Sequence, residues 1–258
     1  MLKANNINFS YAKNTVLNDV SVEIHKGELT AVLGANGSGK STLLKILSGY
    51  MHPSAGSVIL NNRDVFSYKA SELAKMRAVL EQDSPLEFNY TVLETVCLGR
   101  FAMSGFWGID KRSKEIARTA LEKVGLADFE NKRYLNLSGG ERRRVQLARV
   151  ISQILDNPEG KLLLLDEPTA NLDPLHEHLT MSLFKDICKM GASCVAVLHS
   201  VELALNYTDN SILLDNGKIL ASGKTSDVLT SENVSKLFKL NCKIITGTQN
   251  AVVFDLQK

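Results

Sequence analysis

Apolar and polar residues alternate over Ile7-Asn8-Phe9-Ser10-Tyr11 and again over Val20-Ser21-Val22-Glu23-Ile24. A period of two predicts half-buried strands, paired antiparallel. His25-Lys26-Gly27-Glu28 reads as a turn, and Gly56-Ser57-Val58-Ile59-Leu60-Asn61-Asn62 as a further strand of the same sheet.

Three later runs are apolar on both faces: Leu29 to Leu33, Leu162 to Leu165 and Cys194 to Leu198. Buried parallel strands have this pattern. Each run ends in reactive residues, respectively a Gly-rich loop, Asp166-Glu167 and His199. Ligands of open α/β sheets bind beyond the carboxyl ends of the strands, so three polar strand ends predict one shared site.

Between residues 86 and 150 the strand pattern gives way to helices. Lys111 to Gly125 reads as an amphipathic helix closed by glycine, and Gly140 to Leu155 as a second, with Val145, Ala148, Ile151 and Leu155 on one stripe. After Gly223 the chain predicts one helix over Ser226 to Phe238 and a closing hairpin around Gly247-Thr248-Gln249-Asn250. The expected fold is an α/β single domain over 1–258. Residues 1–85 and 151–258 form its core and antiparallel β subdomain, and 86–150 an inserted helical subdomain.

Composition changes this picture little. The 258 residues are 44% hydrophobic and 22% charged, ordinary for a globular protein, and the net charge of +2 predicts no bulk attraction to nucleic acid. No apolar run reaches the roughly 18 residues of a membrane helix. The start, Met1-Leu2-Lys3-Ala4-Asn5-Asn6, lacks a secretory core, so the protein is expected to stay where it is made. Cys97, Cys188, Cys194 and Cys242 have no metal-binding or redox spacing and are expected as reduced thiols in or near the core.

The candidate chemistry is concentrated in Gly34-Ala35-Asn36-Gly37-Ser38-Gly39-Lys40-Ser41, which follows a predicted strand and precedes a helix expected near Thr42. Glycines let backbone N–H groups wrap a phosphate, and the helix adds its positive end. Lys40 suits the β- and γ-phosphates of a nucleotide and the Ser41 hydroxyl a Mg²⁺ ion. Asp166, at the end of a buried strand, suits the same Mg²⁺, and Glu167 beside it can orient or deprotonate an attacking water. Together these residues predict a P-loop NTPase core with a mostly parallel sheet.

Leu137-Ser138-Gly139-Gly140-Glu141 supplies a second anion-binding helix start, capped by Ser138. With the phosphate loop, it makes the chain resemble the ATP-binding subunits of ABC transporters along essentially its whole length. That resemblance implies an ATPase acting as a head-to-tail dimer with a second copy of itself. Ser138, Gly139 and Gly140 of one copy cover the ATP held by the other, and Asp173 of Asn171-Leu172-Asp173 communicates across the dimer. It also implies that Tyr11 stacks on adenine and that Gln82 senses Mg²⁺ and water and links to the membrane partner. His199 then contacts the γ-phosphate. Tyr11 as core, Gln82 as an exposed loop residue and His199 as a satisfied core histidine are the structural alternatives. Glu141 stands where Gln is more usual, and Ser200 where Asp is common.

The resemblance further implies two transmembrane permease subunits, a periplasmic substrate-binding protein and a peripheral position on the cytoplasmic face of the bacterial inner membrane. Lys218 to Thr230 and the closing hairpin resemble importers of iron chelates, hemin and cobalamin. Asn157-Pro158-Glu159-Gly160 and Pro174-Leu175-His176-Glu177-His178 resemble hemin importers most, with ferric siderophores and cobalamin as alternatives, and a soluble ATPase of the same superfamily acting in translation or DNA repair as a further one. His176 and His178 lie about 200° apart on a helix, so a solvated helix start is expected there rather than a metal site. Arg142-Arg143-Arg144 with Arg149 is expected to be a solvated or subunit-facing helix surface. Pro85 to Gly99 is expected to line the groove for a permease helix, with Phe88 and Tyr90 exposed in it.

Overall fold

The computed structural model describes residues 1–82, 88–103 and 109–255. The alternating N-terminal segments become β1 (Leu2–Tyr11) and β2 (Asn14–Ile24), paired antiparallel. Their inward residues Leu2, Ile7, Leu17, Val20 and Ile24 are fully buried. The all-apolar β3 (Leu29–Leu33) follows, then α1 (Lys40–Leu47), which begins at Lys40 rather than near Thr42. β4 (Ala55–Leu60) and β5 (Arg63–Asp64) complete a four-stranded sheet in the order β2-β1-β4-β5.

α2 (Ala70–Met76) leads into β6 (Arg77–Leu80), a short strand not marked by the apolar pattern. Next come α3 (Val92–Leu98), α4 (Lys111–Lys123) and α5 (Gly139–Ser152), which pack on one another. α4 stops where Gly125 takes φ +70°, a conformation open to glycine at little cost. Val145, Ala148 and Ile151 of the expected stripe are buried, whereas Leu155 lies beyond the end of α5 at Ser152 and is half-buried.

Beyond α5 lie β7 (Leu162–Asp166), α6 (Pro174–Lys189), β8 (Ser193–Val197), α7 (Val201–Tyr207), β9 (Asn210–Asp215) and β10 (Lys218–Lys224). The central sheet has the order β10-β9-β3-β8-β7-β6, parallel except for the β9–β10 hairpin. Every residue of β3, β7 and β8 is buried, which accounts for their unbroken apolar runs.

The single helix expected over Ser226 to Phe238 is two, α8 (Thr225–Val228) and α9 (Ser231–Phe238). The Thr230 hydroxyl accepts a hydrogen bond from Asn233 N and starts a new helix there. β11 (Asn241–Ile245) and β12 (Ala251–Asp255) form the expected closing hairpin. Two apolar clusters result. One lies between the antiparallel sheet, α1 and one face of the central sheet, and the other under α3 to α7 and the C-terminal helices.

Cys97, Cys188 and Cys194 are buried and Cys242 is half-buried, all as free thiols. No described helix is long and apolar enough to cross a membrane.

Candidate functional site

The loop between β3 and α1 is shaped by close approach. A Cβ on Gly34 would fall 2.3 Å from the Leu214 carbonyl oxygen, and Gly39 takes φ +105° against Val16 and Leu17 of β2. The β9–β10 turn grips the loop from behind. Gly217 N donates to the Ser38 carbonyl at 3.1 Å, and the Gly217 carbonyl accepts from Asn18 N at 2.8 Å. The β9–β10 turn is therefore bonded through Gly217 backbone to both the loop and β2.

Lys40 is 6% exposed, and its ammonium donates to the Gly34 and Ala35 carbonyls at 2.9 and 3.0 Å. Burial pulls its pKa below the usual lysine value, while the charges of Glu167 and Asp166 pull it back up. Val16, Asn36, Gly37, Gly39, Lys40, Ser41, Thr42, Gln82, Glu167 and His199 line one cleft of about 560 Å³. The predicted convergence of three strand ends is thus observed, with the end of β6 as a fourth contributor.

Glu167 stands just past β7 with φ +48°, an uncommon backbone for a side-chain-bearing residue. Its Oε1 lies 2.7 Å from His199 Nε2, and its Oε2 accepts from Gln82 Nε2 at 3.2 Å. Asp166 is 4% exposed and has an oxygen, Oδ1, with no hydrogen-bond partner. Burial raises its pKa, Glu167 adds to the rise, and the Ser41 hydroxyl hydrogen bond opposes it. Ser41, Gln82 and Asp166 also share a second, adjoining cleft of about 330 Å³. A buried carboxylate oxygen without a partner, beside a hydroxyl and an amide, is a donor set that suits a hard divalent cation. Among the described residues there is no separate cluster of three or more His, Cys, Asp or Glu side chains placed to hold a metal.

Ser138, Gly139, Gly140 and Asp173 do not line this cleft. Ser138 caps α5 in a reciprocal box: Glu141 N donates to Ser138 Oγ at 3.3 Å, and Glu141 Oε2 accepts from Ser138 N at 2.7 Å. The Ser138 hydroxyl also donates to Glu141 Oε2 at 2.7 Å, and this bond, with that from Ser138 N, holds the Glu141 carboxyl below its usual range. Asp173 caps α6, accepting from His176 N at 3.0 Å, and its other oxygen lies 2.7 Å from His176 Nδ1. Gly140 abuts the Asn171 carbonyl, so the two helix starts form one neighbouring patch. Tyr11, at the end of β1, is half exposed, with its ring edge-on to Phe9 and its hydroxyl 3.7 Å from Met51 Sδ.

Several expectations need correction. The arginines of α5 are only partly solvated: Arg142 is exposed, whereas Arg143, Arg144 and Arg149 are half-buried and bonded within the subunit or packed against it. Arg142 donates to Leu135 O and Arg144 to Val124 O and Gly125 O, while burial depresses the Arg149 pKa. Arg143 reaches the candidate site itself, donating to the carbonyls of Asp166 and Glu167 at 2.6 and 2.5 Å. The His176-Glu177-His178 segment is half-buried rather than a solvated helix start, and His178 Nδ1 lies 2.9 Å from the Tyr207 hydroxyl. Ser200, given no role from sequence, caps α7 by accepting from Leu203 N at 3.1 Å. Of the groove segment Pro85 to Gly99, residues 85–87 lie outside the described residues; Phe88 is exposed and Tyr90 only just so.

A profile described as ABC transporter matches residues 17–170, spanning the phosphate loop, the Ser138–Glu141 cap and Asp166-Glu167. The chain belongs to the ABC transporter ATP-binding family. Hemin import ATP-binding proteins of Gloeobacter violaceus and Bartonella quintana resemble this cassette at 43% and 42% identity. These matches cover 95% and 92% of this chain and 90% of each relative. The protein of that name from Rhizobium meliloti is 40% identical over 99% of this chain and 98% of its own length.

Among solved structures, a transporter assigned to the metal-chelate type and facing inward superimposes on the cassette with a TM-score of 0.80 at 28% identity. That match covers 98% of this chain and 96% of that one. A dimeric ATP-binding cassette in a post-hydrolysis state, bound to ADP and Pi, gives 0.77 at 28% identity, over 87% of this chain and 99% of that one.

Proposed function

We propose that this cassette hydrolyses ATP to drive an ABC importer of hemin. The observation that carries the hydrolytic part is the Glu167 carboxylate, gripped on one oxygen by His199 and on the other by Gln82 at the mouth of the Lys40 loop. Full-length similarity to hemin import ATP-binding proteins supports the cargo. The metal-chelate type of the structural relative supports the broader class, which keeps ferric siderophores and cobalamin as the second reading.

In this reading the backbone N–H groups from Gly34 to Thr42 cradle the triphosphate, Lys40 leaves its two carbonyls for the β- and γ-phosphates, and Tyr11 stacks on adenine. Ser41, Asp166 and Gln82 would hold Mg²⁺, which fits the partnerless Asp166 oxygen and supplies charge neutralisation at the phosphates. Glu167 receives the proton of the attacking water, aimed by Gln82, and His199 steadies the γ-phosphate end. Positioning and charge stabilisation do most of the work in phosphoryl transfer.

A second copy of the chain completes each site head to tail, its Ser138, Gly139 and Gly140 covering the γ-phosphate and its Asp173 turn facing the neighbouring subunit. The helical subdomain, 86–150, carries this cover. Two permease subunits dock near Phe88 and Tyr90, a periplasmic binding protein delivers the cargo, and the cassette sits on the cytoplasmic face of the inner membrane.

The test is reconstitution of the cassette with its permease and binding protein in proteoliposomes supplied with hemin, a ferric siderophore or cobalamin. ATP-driven uptake of hemin alone is expected. Uptake of one of the others instead transfers the assignment to that chelate.

A further inference from the structure

Arg143 lies on α5 five residues beyond Ser138, about 7.5 Å along the helix axis. From there its guanidinium reaches back to the ends of two neighbouring parallel strands. Nη2 donates to the carbonyls of Asp166 and Glu167, at 2.6 and 2.5 Å, just where β7 stops. Nη1 donates, at the longer distances of 3.3 and 3.4 Å, to the carbonyls of Glu81 and Gln82, just beyond β6. β6 and β7 are paired through Leu80 and Leu165, so the arginine continues the tie between them past the last rung of the ladder.

We infer that Arg143 is a positioning residue that couples the helix start at Ser138 to the hydrolytic carboxylate of the same subunit. The inference rests on the reading of Glu167 and of the Ser138–Gly140 cover proposed above. The reciprocal cap fixes Ser138 to the first turn of the helix that carries Arg143. The start of that helix covers the ATP of the partner, while its arginine fixes the two residues that act on the subunit's own ATP. Closure over one nucleotide therefore aims Glu167 and Gln82 at the other.

Two features give the arginine this leverage. Glu167 sits at φ +48° ahead of Pro168, a backbone that persists only when its surroundings hold it, and its carbonyl is one that Arg143 grips. The guanidinium is also a planar fork able to serve two separated pairs of carbonyls at once. A lysine offers a single compact charge and reaches one pair.

The experiment uses the full chain with R143Q, R143K and, as control, E167Q. Nucleotide affinity is read with a fluorescent ATP analogue, and ATP-driven dimerisation by sedimentation in the E167Q background. Turnover is measured against ATP concentration. R143Q is expected to bind nucleotide and dimerise like the parent, yet lose turnover by about 10²-fold, the usual cost of misplacing a catalytic group by an ångström. Its ATP dependence should flatten from a Hill coefficient near about 2 to about 1, and R143K should regain only part of the turnover.

Turnover within about twofold of the parent with unchanged sigmoidicity overturns the inference. So does loss of nucleotide binding and dimerisation in step with activity, which marks a merely structural tie. An inert E167Q beside a fully active R143Q sinks the Arg143 role alone. An active E167Q removes the hydrolytic reading and this inference together.

Discussion

The two oxygens of the Glu167 carboxylate are engaged from two different strand ends, His199 Nε2 at 2.7 Å following β8 and Gln82 Nε2 at 3.2 Å following β6. Neither neighbour is close to Glu167 in sequence, so the sheet alone brings them together. Glu167→Gln keeps the shape and hydrogen-bonding capacity of the side chain but removes its basicity. It should cut turnover by about 10²–10⁴-fold. ATP should still bind and drive a stable dimer, visible by size exclusion with ATP and absent with ADP.

Lys40→Ala removes the only ammonium among the described residues that line the cleft. A charge-assisted bond to phosphate is worth about 2–3 kcal/mol, so ATP should bind tens- to hundredfold more weakly. Titration with a non-hydrolysed ATP analogue checks this. Unchanged affinity would argue that the loop does not hold nucleotide.

Gly217→Ala tests the grip on the phosphate loop. The residue takes φ +74°, and a Cβ there would lie 2.3 Å from the Val16 carbonyl oxygen. Backbone strain and overpacking together should cost about 3 kcal/mol. Urea unfolding should show a lower midpoint at an unchanged slope.

Arg100 is 3% exposed and forms a forked pair with Asp156, at 3.0 and 2.9 Å. The Arg100 hydrogen bonds hold the Asp156 carboxyl below its ordinary value. A carboxyl that titrates lower when folded contributes stability above its unfolded pKa of about 3.9, and loses it as the pH falls through the folded value. Asp156→Asn should therefore cost about 2–3 kcal/mol at pH 7, with the gap to the parent closing as the pH drops below about 4. Thermal unfolding at a series of pH values measures it.

Phe88 is 68% exposed and its ring centroid lies 5.8 Å from that of Tyr90. Exposed aromatics six and eight residues beyond Gln82 in sequence suit a helix arriving from a permease. Ala substitution at both should reduce ATP-driven uptake at least about tenfold while leaving the ATPase rate of the isolated cassette within about twofold. Equal loss of both activities would move the docking site elsewhere.

Much of the site was legible because its chemistry is local. The Gly34-to-Ser41 loop, Asp166-Glu167 and the Ser138 cap are contiguous motifs whose backbone geometry follows from glycines, strand ends and capping rules. The unbroken apolar runs likewise marked β3, β7 and β8. What stayed hidden depends on long-range contact. The Arg142–Arg144 run looks like a charged helix face, and nothing in its spacing says that Arg143 meets carbonyls 23 and 24 residues downstream. β6 is only Arg77–Leu80, too short for a period to register. The break between α8 and α9 turns on one threonine cap inside an otherwise helical pattern. His178 found Tyr207 through the packing of α6 on α7, which no local pattern encodes.

The hold of Lys40 on the Gly34 and Ala35 carbonyls has a further consequence. The loop carries a built-in competitor for its own cation. An incoming anion must offer more than two backbone oxygens already offer, so affinity here is an exchange rather than a simple addition. A polyphosphate chain, spreading its charge along the whole loop, meets that threshold far more readily than a lone small anion. The same rivalry works in reverse after cleavage: once the terminal phosphate is gone, the carbonyls can reclaim the lysine, and the fold itself helps empty the site for the next turnover.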